Sequence, residues 1–562
     1  MDRHRRRLSG TGSVGWQLTL VLAAALPLAF LGVFFAWPVA SIVARGFVQD
    51  GSLDFGGLAE TFGSARTWRI IGQTLAQAVV GTSIAVALGV PGAYVLYRCR
   101  FPGRALVRTL VTVPFVLPTV VVGVAFRNLL VDGGLLAGLG VDGTFVAVVA
   151  ALVFFNYVVV VRTVGALWSH LDPRAEQAAR ALGASPWRAF REVTLPALAP
   201  AIGAAASLVF LFCTTAFGTV LVLGGPGYGT VETEIWIQTT QFLDLRTAAT
   251  LSIVQLVVVG ASLALAARSR QRREAALRVL PDTAVDHLLR TSDLPAVLVT
   301  AVVVLGLLVT PLVSLLVGSL RLADGGWGID NYRRLTTAEP GDVLTVSVWQ
   351  AALNSLRIAA DATWLAMLVG VLLCVVLSQR PRTAGRRRAL AAFDAAFMLP
   401  LGVSAVTVGF GFLITLNRGP LDLRSSAVLV PIAQAVVAVP LVVRTLLPVL
   451  RSIDPRLREV AQVLGADPAR VFRNVDLPAL GRSLGLSVGF AFAVSLGEFG
   501  ATSFLSRPDR PTLPVVIFRL LGRPGAENLG LALAASVVLA ATTVVVIGVA
   551  ERLRVHSAGA EL

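Results

Sequence analysis

The chain reads as a succession of apolar runs, each ended by a short polar segment in which arginine is prominent. Uninterrupted apolar stretches of about 20 residues, enough for a helix to cross roughly 30 Å of hydrocarbon, begin near Leu18, Ile70, Thr109, Thr144, Ala201 and Ala248. A second set begins near Ala296, Leu356, Leu390, Ala427, Ser483 and Leu529. The pattern predicts an all-α membrane protein of twelve transmembrane helices, built as two similar six-helix halves.

The polar segment after the fourth run of each half departs from this apolar monotony. DPRAEQAARALGASPWRAFREVTLPALAPAIG, from Asp172 to Gly203, returns 282 positions later as DPRLREVAQVLGADPARVFRNVDLPALGRSLG, from Asp454 to Gly485, identical at 17 of 32 positions and without a gap. Loops ordinarily drift faster than the elements they join, so a loop better matched than its flanking spans is held by a task. A repeat at so long a period also means two whole domains and not a solenoid of small units. Asp172-Pro173 and Asp454-Pro455 read as helix starts, since Asp caps free N–H groups and Pro suits a first turn. Short helices are expected from Arg174 to Leu182 and from Arg456 to Leu464, each ended by Gly183 or Gly465. A second helix carries Phe190 or Phe472 and is expected to halt before Leu195-Pro196 or Leu477-Pro478. The product is a helix-turn-helix elbow whose small residues, Ala178, Ala179 and Ala461, permit close approach of another surface.

Composition places the chain in a bilayer: 56% of residues are hydrophobic and 14% charged, with mean hydropathy +0.78. The net charge of +16 comes from 48 basic residues, all of them arginine. Arginine is retained on the cytoplasmic side during insertion, and most of these residues fall on one side if the termini are cytoplasmic. That side holds Arg3, Arg5, Arg6 and Arg7, both repeated segments, Arg98 to Arg108, the Arg268 to Arg290 linker and Arg386-Arg387-Arg388. The charge is therefore topological, matched to anionic headgroups, and requires no nucleic acid. The run from Leu18 to Ile42 exceeds the h-region of a cleaved signal, so a retained helix is expected. Cys99, Cys213 and Cys374 lie in or beside spans and suggest no disulfide framework. His4, His170, His287 and His556 show no ligand spacing, and no metal site is expected from them.

The chain has no lysine, so it lacks a P-loop of the usual kind, and any ATP hydrolysis coupled to it falls to another polypeptide. It also lacks a zinc-protease His-Glu-x-x-His. The largest pieces between spans, Arg268 to Asp293 and Leu320 to Gln350, are too small for a catalytic cleft.

At the repeated segments the chain resembles the inner-membrane permeases of binding-protein-dependent ABC importers of the type I fold. Their signature is Glu-Ala-Ala, three residues, Gly, then Leu-Pro some twelve residues on. It appears as Gln177-Ala178-Ala179, Gly183 and Leu195-Pro196, and again as Glu459-Val460-Ala461, Gly465 and Leu477-Pro478. The first copy has Gln where the family has Glu, with Glu176 one residue earlier. In the family this loop couples to the ATPase. The resemblance implies two ATP-binding ABC subunits on the cytoplasmic side, and a solute-binding protein outside against the Gly224 to Leu245 and Arg507 to Glu527 loops. It further implies residence in a bacterial inner membrane and no cofactor bound directly, ATP being used by the partner.

It divides the chain into an N-terminal segment with the first helix (1–69), a first permease domain (70–267), a linker with the seventh helix and an external loop (268–350), a second permease domain (351–550) and a tail (551–562). A fused chain with Arg100-Phe101-Pro102-Gly103-Arg104, Phe154-Phe155-Asn156, Phe217-Gly218-Thr219-Val220-Leu221, Gly224-Gly225, Ser495-Leu496-Gly497-Glu498-Phe499-Gly500 and Thr512-Leu513-Pro514 is similar to the iron(III) and thiamine branch, the thiamine members somewhat more.

Ionisable and polar groups inside spans are costly and mark pathways or partners. Asn156, Asp361 and Glu498 are the candidates for the translocation path. Arg162 and Arg444, at equivalent places near the ends of the fourth spans, read as snorkelling residues. A twelve-helix secondary transporter would share the repeat and helix count, but has no use for a matched elbow after each fourth helix. A membrane enzyme would need clustered His or acidic residues at the membrane face, and the sequence offers none.

Overall fold

The computed structural model describes residues 21–49, 51–131, 133–271, 287–337, 345–379, 383–416, 422–423 and 426–559. Arg3, Arg5, Arg6, Arg7, His4 and most of the Arg268 to Arg290 linker lie outside the described residues. Among the described residues nine helices are long and apolar enough to cross a membrane, or eleven if each of two bent pairs counts as one span. The chain is a multi-pass, all-helical membrane protein, and nine to eleven of the twelve expected spans are found among the described residues.

Proline accounts for much of the shortfall. The third run divides into Arg104–Val116 and Thr119–Leu130, bent by 105°. Pro118 pushes Leu117 into an extended conformation (φ −69°, ψ 140°), because its ring disfavours a helical residue before it. The ninth run becomes Ala384–Met398 and Ala405–Thr415, separated by a 3₁₀ turn that contains Pro400. The eleventh is bent by 59° between Ala469–Gly481 and Ser483–Gly497. A hydropathy window sums across such breaks and does not register them.

Two compact units emerge, one from the described parts of Met1–Arg45, Leu335–Val516 and Val538–Leu562, the other from Gly46–Arg334 and Ile517–Val537. Each contains the opening span of the other sequence half. In the first unit, Phe34 of span Val21–Phe47 meets Phe412 with ring centroids 6.2 Å apart, and Phe35 is buried with Val408, Phe412 and Val436. In the second, Asn128 Nδ2 donates to Ser314 O (3.0 Å) and Ser314 Oγ (2.8 Å), tying the bent third span to the seventh, Thr291–Ser319. The opening helices are thus exchanged between the halves.

The fourth spans, Phe145–Ser169 and Leu429–Ser452, form the centre of each unit: 72% of each apolar window is buried, against 28% for Val21–Phe47. Small residues permit the close approach that drives helix association where no hydrophobic effect acts. A side chain at Gly92 would lie 2.1 Å from the Tyr157 hydroxyl, so spans two and four pack backbone against ring.

Candidate functional site

The two elbows are built alike. Asp172 Oδ1 accepts the Arg174 N–H at 2.9 Å, and Asp454 Oδ1 accepts that of Arg456 at 2.9 Å. The helices that follow, Arg174–Ala181 and Pro455–Val463, end on Gly183 and Gly465 with φ of +90° and +84°. A left-handed residue there lets the following amides reach back, Ala184 N to Ala179 O (3.1 Å) and Ala466 N to Ala461 O (2.9 Å), in a Schellman cap. The second helices open at Ser185, whose Oγ accepts the Arg188 N–H at 3.3 Å, and at Asp467, whose Oδ1 accepts that of Arg470 at 2.8 Å.

The second helix does not halt before Leu195-Pro196 or Leu477-Pro478. It passes through π-helical turns, Phe190–Thr194 and Phe472–Asp476, directly into the span. A proline inside a helix removes one donor and crowds the carbonyl four residues back. The wider turn just ahead of Pro196 and Pro478 relieves that crowding without ending the helix.

The same aligned pair fastens each elbow to its span with different chemistry. In the first, Thr194 Oγ1 donates to Glu176 Oε2 at 2.9 Å. In the second, 282 positions on, Arg458 Nε donates to Asp476 Oδ1 at 2.8 Å, and its guanidinium also reaches Leu450 O at 3.1 Å. Phe190 is stacked between Trp168 (6.1 Å) and Trp187 (5.6 Å), whereas the positions aligned with those tryptophans are Leu450 and Ala469. Phe190 and Phe472 are half-buried, and the stack of Phe190 on Trp168 holds the first elbow to its span.

What each elbow presents outward is apolar and uncovered. Leu182 is 89% exposed in the first, and Val463 and Leu464 are 87% and 81% exposed in the second, beside exposed Leu457 and Val460. Gln177, Ala178, Glu459, Leu195, Pro196, Leu477 and Pro478 are exposed as well, with Ala179 and Ala461 half-buried.

The intramembrane candidates separate into different roles. Asn156 is buried and donates to Leu152 O at 2.8 Å, with Cys213 Sγ at 3.6 Å. Glu498 is buried where the span Leu477–Gly497 ends; its carboxylate accepts the N–H groups of Ala501 (2.7 Å) and Thr502 (3.0 Å) and the Thr502 hydroxyl, capping the short helix Thr502–Leu505. Asp361 is exposed midway along Val348–Leu377, one turn from exposed Arg357, with no hydrogen bond or ion pair among the described residues. Asn156 belongs to one unit and the two carboxylates to the other. Arg162 and Arg444 are both exposed, about two turns inside the C-terminal ends of Phe145–Ser169 and Leu429–Ser452.

Sequence reasoning missed a glutamine set. Gln77 Nε2 donates to Cys213 O (2.7 Å), Gln255 Nε2 to Thr214 O (3.2 Å), and Tyr228 OH to Gln77 Oε1 (2.7 Å). These donors satisfy carbonyls freed where the fifth span ends at Thr214. A Gln in mid-span is the signal that would have found them. Nearby, Arg66, Arg69, Gln73, Tyr228 and Glu234 line a cleft of about 450 Å³, with Arg66 and Glu234 ion-paired at 3.0 Å.

The chain is thus a polytopic helical membrane protein with paired, uncovered elbows and polar groups at broken spans. The model of the binding-protein-dependent transport system inner membrane component matches residues 85–275, which include the whole first elbow. The thiamine transport system permease protein ThiP of Escherichia coli (strain K12) is 28% identical over 533 residues, covering 90% of this chain and 91% of that one. The probable sulfate transport system permease protein cysT of Chlorokybus atmophyticus is 32% identical over 225 residues, 39% of this chain and 77% of that one. A solved bacterial ABC transporter involved in import of the acidic polysaccharide alginate superposes with TM-score 0.40 at 18% identity, over 48% of this chain and 99% of that chain. The chain belongs to the family of binding-protein-dependent transport system inner-membrane components. It is a transport permease and not an enzyme, and ATP hydrolysis lies in separate subunits.

Proposed function

We propose that this permease forms the translocation path of an importer for thiamine or a closely similar organic cation, its two halves (70–267 and 351–550) acting as paired permease domains. The observation that carries the solute is the match to thiamine permeases along nine-tenths of the chain. Two ATPase subunits seat on the elbows: the uncovered leucines and valines supply an apolar contact, and the small residues Ala178, Ala179 and Ala461 let a partner surface approach closely. The arginine distribution supports cytoplasmic elbows and termini in a bacterial inner membrane. A solute-binding protein then docks on the opposite face, against the 224–245 and 507–527 loops.

Within the path, Asp361 is the carboxylate free to meet a cation, because Glu498 is engaged as a helix cap and Asn156 as a brace between helices. The test is uptake in a host lacking its own thiamine permease, expressing this chain with its cognate ATPase and binding protein. Labelled thiamine is expected to accumulate only when all three are present and the ATPase is active. Accumulation of iron(III) in place of thiamine would overturn the solute assignment; accumulation by the lone chain under a proton gradient would overturn the importer itself.

A further inference from the structure

Three side chains with no part in the transport reading converge beside the base of the first elbow. Cys99-Arg100 pairs in parallel with His287-Leu288, which brings the thiol to the imidazole from 188 residues away. Cys99 Sγ lies 4.0 Å from His287 Nε2, and that nitrogen lies 3.2 Å from Asp293 Oδ2. One ligand atom from each of the three falls within 4.8 Å of the others. Sulfur, nitrogen and oxygen ligands arranged tetrahedrally on one zinc-class ion stand roughly 3.4–3.6 Å from one another. The sulfur–nitrogen and nitrogen–oxygen separations fall on either side of that range and the third is no more than 4.8 Å, so shifts of about 1 Å or less complete the arrangement.

The surroundings suit a cation. Thiolate, neutral imidazole and carboxylate carry two negative charges, which a divalent ion neutralises. Tyr94 donates to Asp293 Oδ1 at 2.8 Å and the Arg290 N–H reaches Oδ2 at 2.9 Å, which fixes the carboxylate's orientation toward the imidazole. Cys99 and Asp293 are buried, while a quarter of the His287 side chain is exposed and leaves a way in. We propose that Cys99, His287 and Asp293 bind a thiophilic divalent cation of the zinc class, with Tyr94 as a positioning residue, clipping the end of the second span to the start of the seventh.

Binding forms the metal–sulfur bond and releases the Cys99 thiol proton to solvent. The clip lies under the first elbow: Tyr94 packs on Trp168 (5.4 Å), which stacks on Phe190. In the second half the positions aligned with Tyr94 and Cys99 are Val376 and Pro381, neither of which ligates. The site therefore belongs to one half alone.

Full-length protein in detergent, stripped by chelator, is titrated with Co²⁺ alone and read by absorption. One equivalent is expected, with a thiolate-to-cobalt charge-transfer band that Zn²⁺ abolishes by displacement and Cys99→Ser removes. His287→Ala and Asp293→Asn are each expected to weaken binding at least about tenfold, and Tyr94→Phe by about 10–100-fold. A second reading needs no variant: Zn²⁺ is expected to slow alkylation of Cys99 at least about tenfold while leaving Cys213 and Cys374 unchanged. Absence of stoichiometric cobalt in the wild type, a cobalt band that survives Cys99→Ser, or no zinc protection of Cys99 would overturn the proposal.

Discussion

The two elbows share a backbone and differ in what fastens it. Both use an Asp cap, a left-handed glycine, a second short helix and a π-turn into the span. The first is held by a neutral-to-carboxylate hydrogen bond, Thr194 to Glu176, and an aromatic stack; the second by a largely sheltered ion pair, Arg458 to Asp476, with no ring contact to Phe472 among the described residues. The positions that set shape are kept and those that only hold it have exchanged chemistry. That is the pattern expected when the selected property is the surface offered to a partner.

The shared glycines give the largest expected effect. At φ near +85° a β-branched side chain meets its own backbone, at a cost of about 1–2 kcal/mol per residue, and the cap that aims the exposed Leu182 or Val463-Leu464 is lost. Gly183→Val and Gly465→Val are each expected to abolish ATP-driven uptake and ATPase co-purification at normal membrane levels. Gly465→Asp, which adds a charge to the same surface, is expected to do so too. Wild-type uptake by either valine variant would break the claim that shape is the shared property.

Next in size is the exchanged fastening. Arg458→Leu leaves the Asp476 carboxylate, largely sheltered, without its donor, at about 1–3 kcal/mol. Arg458→Glu with Asp476→Thr transplants the first elbow's pair and is expected to recover most of the thermal stability that Arg458→Leu loses. Failure of the transplant, with both proteins folded, would mean that the two fastenings are not equivalent. Smaller again, Trp187→Ala removes one stacked pair, about 0.5–1.5 kcal/mol, and is expected to lower ATPase affinity through the first elbow only.

The elbows were legible because their cues are local. An Asp-Pro start and a Leu-Gly stop each act within one helical turn, and a charged repeat stands out against apolar drift. The span count was less legible, since proline breaks at Pro118 and Pro400 interrupt helices without interrupting hydrophobicity. Glu498 was visible as an intramembrane carboxylate, but its work as a cap depends on a helix break at its own position that no periodicity shows. Cys99, His287 and Asp293 meet only through the strand pair and the exchanged seventh span, and spacing along the chain carries no trace of that. In the elbows, the Gln177 to Glu459 difference drew notice as a motif departure, while the larger change one residue earlier, Glu176 to Arg458, showed its meaning only with its partner in view.

That motif departure gives the smallest effect and the finest test of the comparison. Gln177 and Glu459 are both exposed and their side chains make no hydrogen bond or ion pair among the described residues, so neither side chain fastens its elbow. Exchanging them changes one exposed charge at the proposed ATPase contact and nothing inside the permease. Surface substitutions of this kind move stability by no more than about 0.5 kcal/mol, so the melting temperatures of Gln177→Glu and Glu459→Gln are expected to match the wild type. Their uptake rates are expected to stay within about twofold, the factor that corresponds to such an energy. Gln177→Glu restores the charge carried by the second elbow and is expected to be the milder change, and Glu459→Lys, which reverses it, is expected to stop uptake. If Gln177→Glu proved as damaging as Glu459→Lys while the protein stayed folded, the two elbows would be meeting chemically different surfaces, and the symmetric pairing with two like ATPase subunits would have to be given up.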